Sequence, residues 1–177
     1  MKNLQGGNLM KESITRFRER TNITQEAIAI DAGTNKANIS NIEAGRRNAS
    51  LNIFQELFKN TNDSTFLNDV LHETTNGFAT PIPSHEVYDD HRLSSKYRLS
   101  REIQEFQESL VDHRLDKRPE YLTKEEKDQI SLIVSEGLDV AFEITAFVLS
   151  LEGAYGFINL RKKAQDRNLR YEIDKRI

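Results

Sequence analysis

Thr24-Gln25-Glu26-Ala27-Ile28-Ala29, then Ala32-Gly33, then Ile39-Ser40-Asn41-Ile42-Glu43-Ala44-Gly45, decides the reading of this chain. Thr24 is a good N-cap, which puts Gln25 at the first helical position and Ala27, Ile28 and Ala29 on the core side. Gly33 suits a helix end of positive φ, and a side chain there is expected to obstruct close packing of the next helix. Asn35 or Thr34 caps that next helix, which runs to about Glu43. Its expected inner face is Ala37, Ile39 and Ile42, with Ser40 at the margin, while Lys36, Asn38 and Asn41 stay outside. Asn38 and Asn41 are three apart and so share one side. A helix, a glycine turn and a short amide-bearing helix suit a DNA major groove. Asn pairs bidentately with adenine, and Lys36 reaches guanine acceptors or a phosphate. Lys36, Asn38 and Asn41 are therefore the candidate base readers. Gln25 and Asn35, at helix starts where amides and dipole favour an anion, are candidate phosphate contacts. Gly45 ends the second helix, and Arg46 and Arg47 follow it as further phosphate contacts that position rather than specify.

Around this core, Ile14 and Phe17 form the apolar stripe of a helix from about Lys11 to Arg20, and Asn22 tolerates the turn after it. Ser50 caps a fourth helix with Leu51, Phe54, Leu57 and Phe58 as its expected buried series, and Phe66, Leu67, Val70 and Leu71 mark a fifth. The region from Lys11 to about Leu71 resembles the helix-turn-helix domain of lambda-type repressors and of the xenobiotic-response-element class of bacterial regulators. The likeness is carried by Arg18, Thr24-Gln25-Glu26, Ile28-Ala29, Ala32-Gly33, Ile39-Ser40, Ile42-Glu43, Gly45 and Ser50-Leu51. It implies a five-helix lambda-repressor-like DNA-binding domain with an ion pair between Arg18 and Glu43, which makes both, like Gly33, scaffold residues. Ala49 stands where that family usually has proline. Lys36 stands where lambda-type repressors often have glutamine, so no base preference carries over.

The formal net charge of -3 looks wrong for a nucleic-acid partner until the charges are located. Residues 1 to 58 hold 8 basic and 6 acidic groups, and residues 74 to 177 hold 16 and 19. Phosphate contact depends on the local face, and Arg16, Arg18, Arg20, Lys36, Arg46 and Arg47 are expected to surround the reading unit. There is no cysteine, which excludes disulfides and thiolate chemistry. Without an apolar leader or a run near 18 apolar residues, a cytoplasmic protein with no membrane contact is expected. Met1 to Asn8 reads as a frayed start.

Gly77, Pro81 and Pro83 with their polar neighbours break periodicity, so residues 1–73 are expected to form the first domain, 74–91 a hinge, and 92–177 a helical second domain. From Ser94 to Asp116, Tyr97, Leu99, Ile103, Phe106, Leu110, Val111 and Leu115 follow a single helical stripe, halted before Pro119. Thr123-Lys124-Glu125-Glu126 is a capping box opening a long helix. Past Val140 the apolar residues nearly encircle it, more than one neighbour covers. A homodimer is expected there through Leu138, Ala141, Phe142, Thr145, Val148 and Leu149. Two-fold symmetry would set two reading helices about one DNA turn apart, matching an inverted repeat. Gly153 and Gly156 permit a kink or close crossing, with a small-ligand pocket beside Tyr155 and Phe157 as a sharper alternative. The segment from Arg161 to Arg176, with 7 bases against 3 acids, reads as a solvated helix or a flanking phosphate contact.

Catalysis is not expected. His72, His85, His91 and His113 are dispersed and no HExxH pair occurs. Glu136, Asp139 and Glu143 share a helix sector without a histidine one turn away, and Gly6-Gly7 lacks the lysine of a phosphate loop. The second half reads helical, unlike the mostly β protease domain of self-cleaving SOS-type repressors. No metal or cofactor is expected. The chain thus reads as all-α and as a sequence-specific, homodimeric repressor of a double-stranded DNA operator, of phage, mobile-element or chromosomal origin. The alternative is an antitoxin or adaptor whose C-terminal helices bind another protein.

Overall fold

Side-chain caps set where the helices begin. Thr24, Asn35, Ser50 and Asp63 each accept a backbone N–H three residues on, from Ala27, Asn38, Ile53 and Phe66. In the computed structural model, which describes residues 10–83, 91–111 and 115–176, the chain is all-α, with no strand among the described residues. The helices are α1 (Lys11–Thr21), α2 (Gln25–Asp31), α3 (Lys36–Glu43), α4 (Leu51–Thr61), α5 (Ser64–Thr74), α6 (Arg92–Val111), α7 (Lys124–Ala154) and α8 (Leu160–Ile173). None is long and apolar enough to cross a membrane. The expected frayed start, His85, His113, Gly6-Gly7 and the hinge residues 84–90 lie outside the described residues.

The chain forms two units, one from the residues up to Ile82 together with those from Leu160 onward, the other from Pro83 to Asn159. This differs from the expected second domain of 92–177. The helix breaks after Ala154, and α8 belongs to the first unit, where the Arg161 guanidinium lies 5.3 Å from the Phe58 ring centre.

In the first unit, Ile14, Phe17, Ile28, Ala29, Ile39, Ile42, Leu57 and Phe66 are buried together. The Phe17 and Phe66 rings lie 5.0 Å apart, and Phe54 sits 5.8 Å from Phe66. The α4 stripe differs from expectation. Ile53 is buried and Leu51 is 62% exposed, because two residues of helix turn a side chain by about 200°. Leu71, expected inside, is exposed beside buried Val70 for the same reason, a rotation of about 100° per residue. Asn22 and Asn62 take left-handed φ values of 53° and 50° where α1 and α4 end.

Glu73 closes the first unit in a way periodicity does not reveal. Its carboxylate accepts the backbone N–H groups of Glu12 and Ser13, as well as the Ser13 hydroxyl, and so caps α1 from α5. The start of the expected hinge is also held: Asn68 donates to the Thr80 carbonyl at 3.0 Å, and His72 Nδ1 lies 2.6 Å from the Ala79 carbonyl. Asp63 has two duties, capping α5 and pairing with Arg20 at 2.8 Å. Asp63→Ala is expected to lower stability by about 1–2 kcal/mol in urea denaturation, with the cap contributing most.

The second unit is a hairpin of α6 and α7. Thr123 and Glu126 form the expected capping box. Glu126 also accepts Lys117, and these hydrogen bonds hold its carboxyl below the usual range. The face α6 turns toward α7 overlaps the expected apolar stripe only in part, through Phe106 against Gly137. Ser95 and Glu102 are buried, whereas Tyr97, Leu110 and Val111 are exposed. Arg98 on α6 pairs with buried Glu143 on α7 at 3.3 Å. Phe157 is 86% exposed, while the Tyr155 ring has the Arg92 guanidinium 5.5 Å from its centre and Phe157 5.8 Å away.

Candidate nucleic-acid interface

Helix α3 is short, so its phase decides which residues point outward. Ile39 and Ile42 are fully buried, and Glu43 is nearly so. At about 100° per residue the opposite side is centred on Ala37, Ser40, Asn41 and Ala44, with Lys36 at its edge. Ala37 and Ala44 are exposed, and Ser40 and Asn41 are half-buried. Ala37 is thus an outer residue, contrary to its expected place inside, since it precedes Ile39 by about 200° of helix rotation.

The candidate readers fall apart into two groups. Asn38 turns back toward the α2–α3 turn, where its Nδ2 donates to Thr34 Oγ1 at 2.9 Å, and its buried Oδ1 has no hydrogen-bond partner among the described residues. It braces the turn and is not on the outward surface. Asn41 and Lys36 remain there. Asn41 is in turn oriented by the loop after α3, for Arg46 Nε donates to Asn41 Oδ1 at 2.9 Å. The backbone N–H groups of Arg46 and Arg47 both reach the Asn41 carbonyl, at 2.8 and 3.2 Å. Gly45 makes this return possible with a φ of 71°. The Arg46 contact leaves the Asn41 Nδ2 donor directed away from it.

Beneath this surface Glu43 ties three helices together. Its Oε1 accepts Arg18 Nε from α1 at 2.8 Å, and its Oε2 accepts Gln25 Nε2 from α2 at 2.7 Å. The ion pair implied by the resemblance is present. Gln25, expected at a phosphate, has its amide engaged in this internal network instead. Asn35, also expected at a phosphate, accepts the Asn38 N–H as the cap of α3, with its side chain exposed. Gly33 has a φ of 60° but no atom within 4 Å of the place a Cβ would occupy. Backbone conformation alone therefore requires glycine there; the expected packing clash does not exist.

Charge is sorted in the same way. Arg16 pairs with Asp69 at 2.8 Å, Arg18 with Glu43 and Arg20 with Asp63. The hydrogen bond to Asp69 raises the Arg16 pKa further above its ordinary value. Three of the six expected phosphate-side cations are thus neutralised inside the scaffold. Lys36, Arg46 and Arg47 are exposed and have no carboxylate partner among the described residues. The outcome is a shallow outward surface of small and amide side chains, flanked by three uncompensated cations. The chain matches no protein-family model and no curated protein.

Proposed function

We propose that this protein is a sequence-specific, double-stranded-DNA-binding transcriptional regulator that acts as a homodimeric repressor, with α3 entering the major groove. The observation that carries this reading is the outward face of α3. Ala37, Ser40 and Ala44 are small enough for close approach to base edges, Asn41 presents an amide, and Lys36, Arg46 and Arg47 stand ready for phosphates. Anchoring by Ile39, Ile42 and Glu43 holds that face without a loop's freedom. Two copies presenting two such helices read an inverted repeat whose halves lie about one turn apart. Selection of bound duplexes from a random pool, followed by stoichiometry on the winner, tests the proposal. The expected product is one pseudo-palindromic site holding two chains; a pool that never converges defeats it.

Asn41→Ala is expected to relax preference at one base pair per half-site, costing about 1–3 kcal/mol there and little elsewhere. Arg46→Ala is expected to do two things. It removes a phosphate contact, which weakens binding to all duplexes and lowers the salt slope by about 0.9 per chain. It also releases Asn41 from its brace, so the preference at the Asn41 base pair falls too. Competition titrations with cognate and singly mismatched duplexes separate the effects; a purely uniform loss for Arg46→Ala removes the bracing role.

A further inference from the structure

α6 and α7 meet along a mixed row, with an apolar flank beside it. In the meeting row Glu102 lies with Glu136 and Asp139, their carboxylate oxygens within 4.8 Å of one another, beside the Arg98–Glu143 pair. One turn along the same face of α6, the Phe106 ring lies 3.4 Å from where a Cβ of Gly137 would stand. Leu99, Ile103, Phe106 and Leu110 on α6 are spaced four, three and four residues apart. On α7, Val134, Leu138, Ala141, Thr145 and Val148 follow a 4-3-4-3 spacing. This is the seam pattern of helices that pair along their length.

The seam lies open. Leu138 is 61% exposed, Val134 58%, Leu110 41%, and Ile103 and Val148 36% each. An exposed apolar row of this length marks a surface suited to burial against a partner. Within the hairpin's own unit, Ala146 is the sole buried apolar side chain among the described residues. So little core does not hold two helices together in water.

We propose that this flank docks a second copy of the same chain, with the two α7 helices antiparallel about a two-fold axis between Leu138 and Ala141. In that register Leu138 meets the second copy's smaller Ala141, and Val134 meets its Thr145, a side chain of the same shape. Ser131 meets Val148 in the next layer. The seam's charged ends also match: Lys127 on one helix falls opposite Glu152 on the other. A parallel pairing sets Leu138 on Leu138 and Lys127 on Lys127, which loses both the size and the charge match. The proposal specifies the dimer that the DNA reading assumes, and rests on that reading for its purpose but not for its geometry.

Because the chain has no cysteine, an engineered pair reports directly on register. Val134→Cys and Thr145→Cys in one chain are eleven residues apart on α7, about 16 Å, too far to bridge within a helix. The expected result, for the full chain without DNA under mild oxidation, is a covalent dimer from the double variant and none from either single one. Sedimentation should give a dimer that becomes monomeric in Leu138→Glu, a change at an exposed site that leaves helix content intact. A monomeric native chain, a dimer without the cross-link, or a mixed complex with some other protein in place of a dimer overturns the proposal. A cross-linked dimer with no preferred duplex counts against the DNA reading alone, and a monomer that selects a duplex counts against this interface alone.

Discussion

Replacing Lys36, Arg46 and Arg47 together by glutamine is expected to lower affinity for every duplex by about three orders of magnitude at physiological salt, with a smaller added loss on the cognate one from the release of Asn41. A dimer loses six cations in this variant. If each neutralises one phosphate, the slope of log affinity against log salt falls by about 5. The three side chains are exposed and have no carboxylate partner among the described residues, so the urea midpoint should stay within the small range of ordinary surface changes. The same triple change at Arg16, Arg18 and Arg20 should behave in the opposite way. Those residues hold Asp69, Glu43 and Asp63, and their loss unfolds the first unit before it reports on DNA. Fluorescence titrations over several salt concentrations, beside denaturation curves, separate the two sets. An unchanged salt slope in the Lys36, Arg46 and Arg47 variant removes the phosphate-contact assignment.

The contrast between those two sets marks what is legible in the amino-acid sequence. Caps and positive-φ turns are local, and Thr24, Asn35, Ser50, Asn22 and the Thr123–Glu126 box are readable one by one. Arg18 and Glu43, 25 residues apart, pair in the sequence only by resemblance. Gln25 as their third member, and Glu73 as the cap of α1, depend on tertiary placement that spacing along the chain does not encode. The phase of a short helix is a second limit. Two apolar residues fix the buried side of α3, yet Ala37 fits either side of a helix, and only the positions of Ile39 and Ile42 put it outside. In α6, periodicity locates an apolar stripe but not which neighbour covers it. The stripe of Ile103 and Leu110 is real, and α7 packs instead beside the polar row of Ser95, Arg98 and Glu102. The proposed pairing rests on that division, with Ile103, Leu110, Val134 and Leu138 exposed beside a mixed seam.

Glu43→Ala is expected to be among the most damaging single changes in the first unit, costing about 2–3 kcal/mol. Its carboxylate is the shared acceptor for Arg18 Nε and Gln25 Nε2, so deletion leaves two donors from two other helices facing an emptied site. The Arg18 side chain is 29% exposed, which lets water recover part of the loss and keeps the figure below that of a fully buried pair. Glu43→Gln retains a carbonyl oxygen for one donor and removes the charge, and is expected to cost about half as much. The double variant Arg18→Ala with Glu43→Ala is the sharper measurement. If the damage in Glu43→Ala comes from a stranded guanidinium, removing that guanidinium should return about 1–2 kcal/mol, and the two single changes will not add. Strict additivity in urea denaturation sinks the network account. DNA affinity supplies a second readout. The network anchors the C-terminal end of α3, two residues from Asn41, so Glu43→Gln at a temperature where it is fully folded should still lose discrimination at the Asn41 base pair. A folded Glu43→Gln chain with native discrimination would mean that Ile39 and Ile42 alone hold the helix in register, leaving Glu43 a role in stability only.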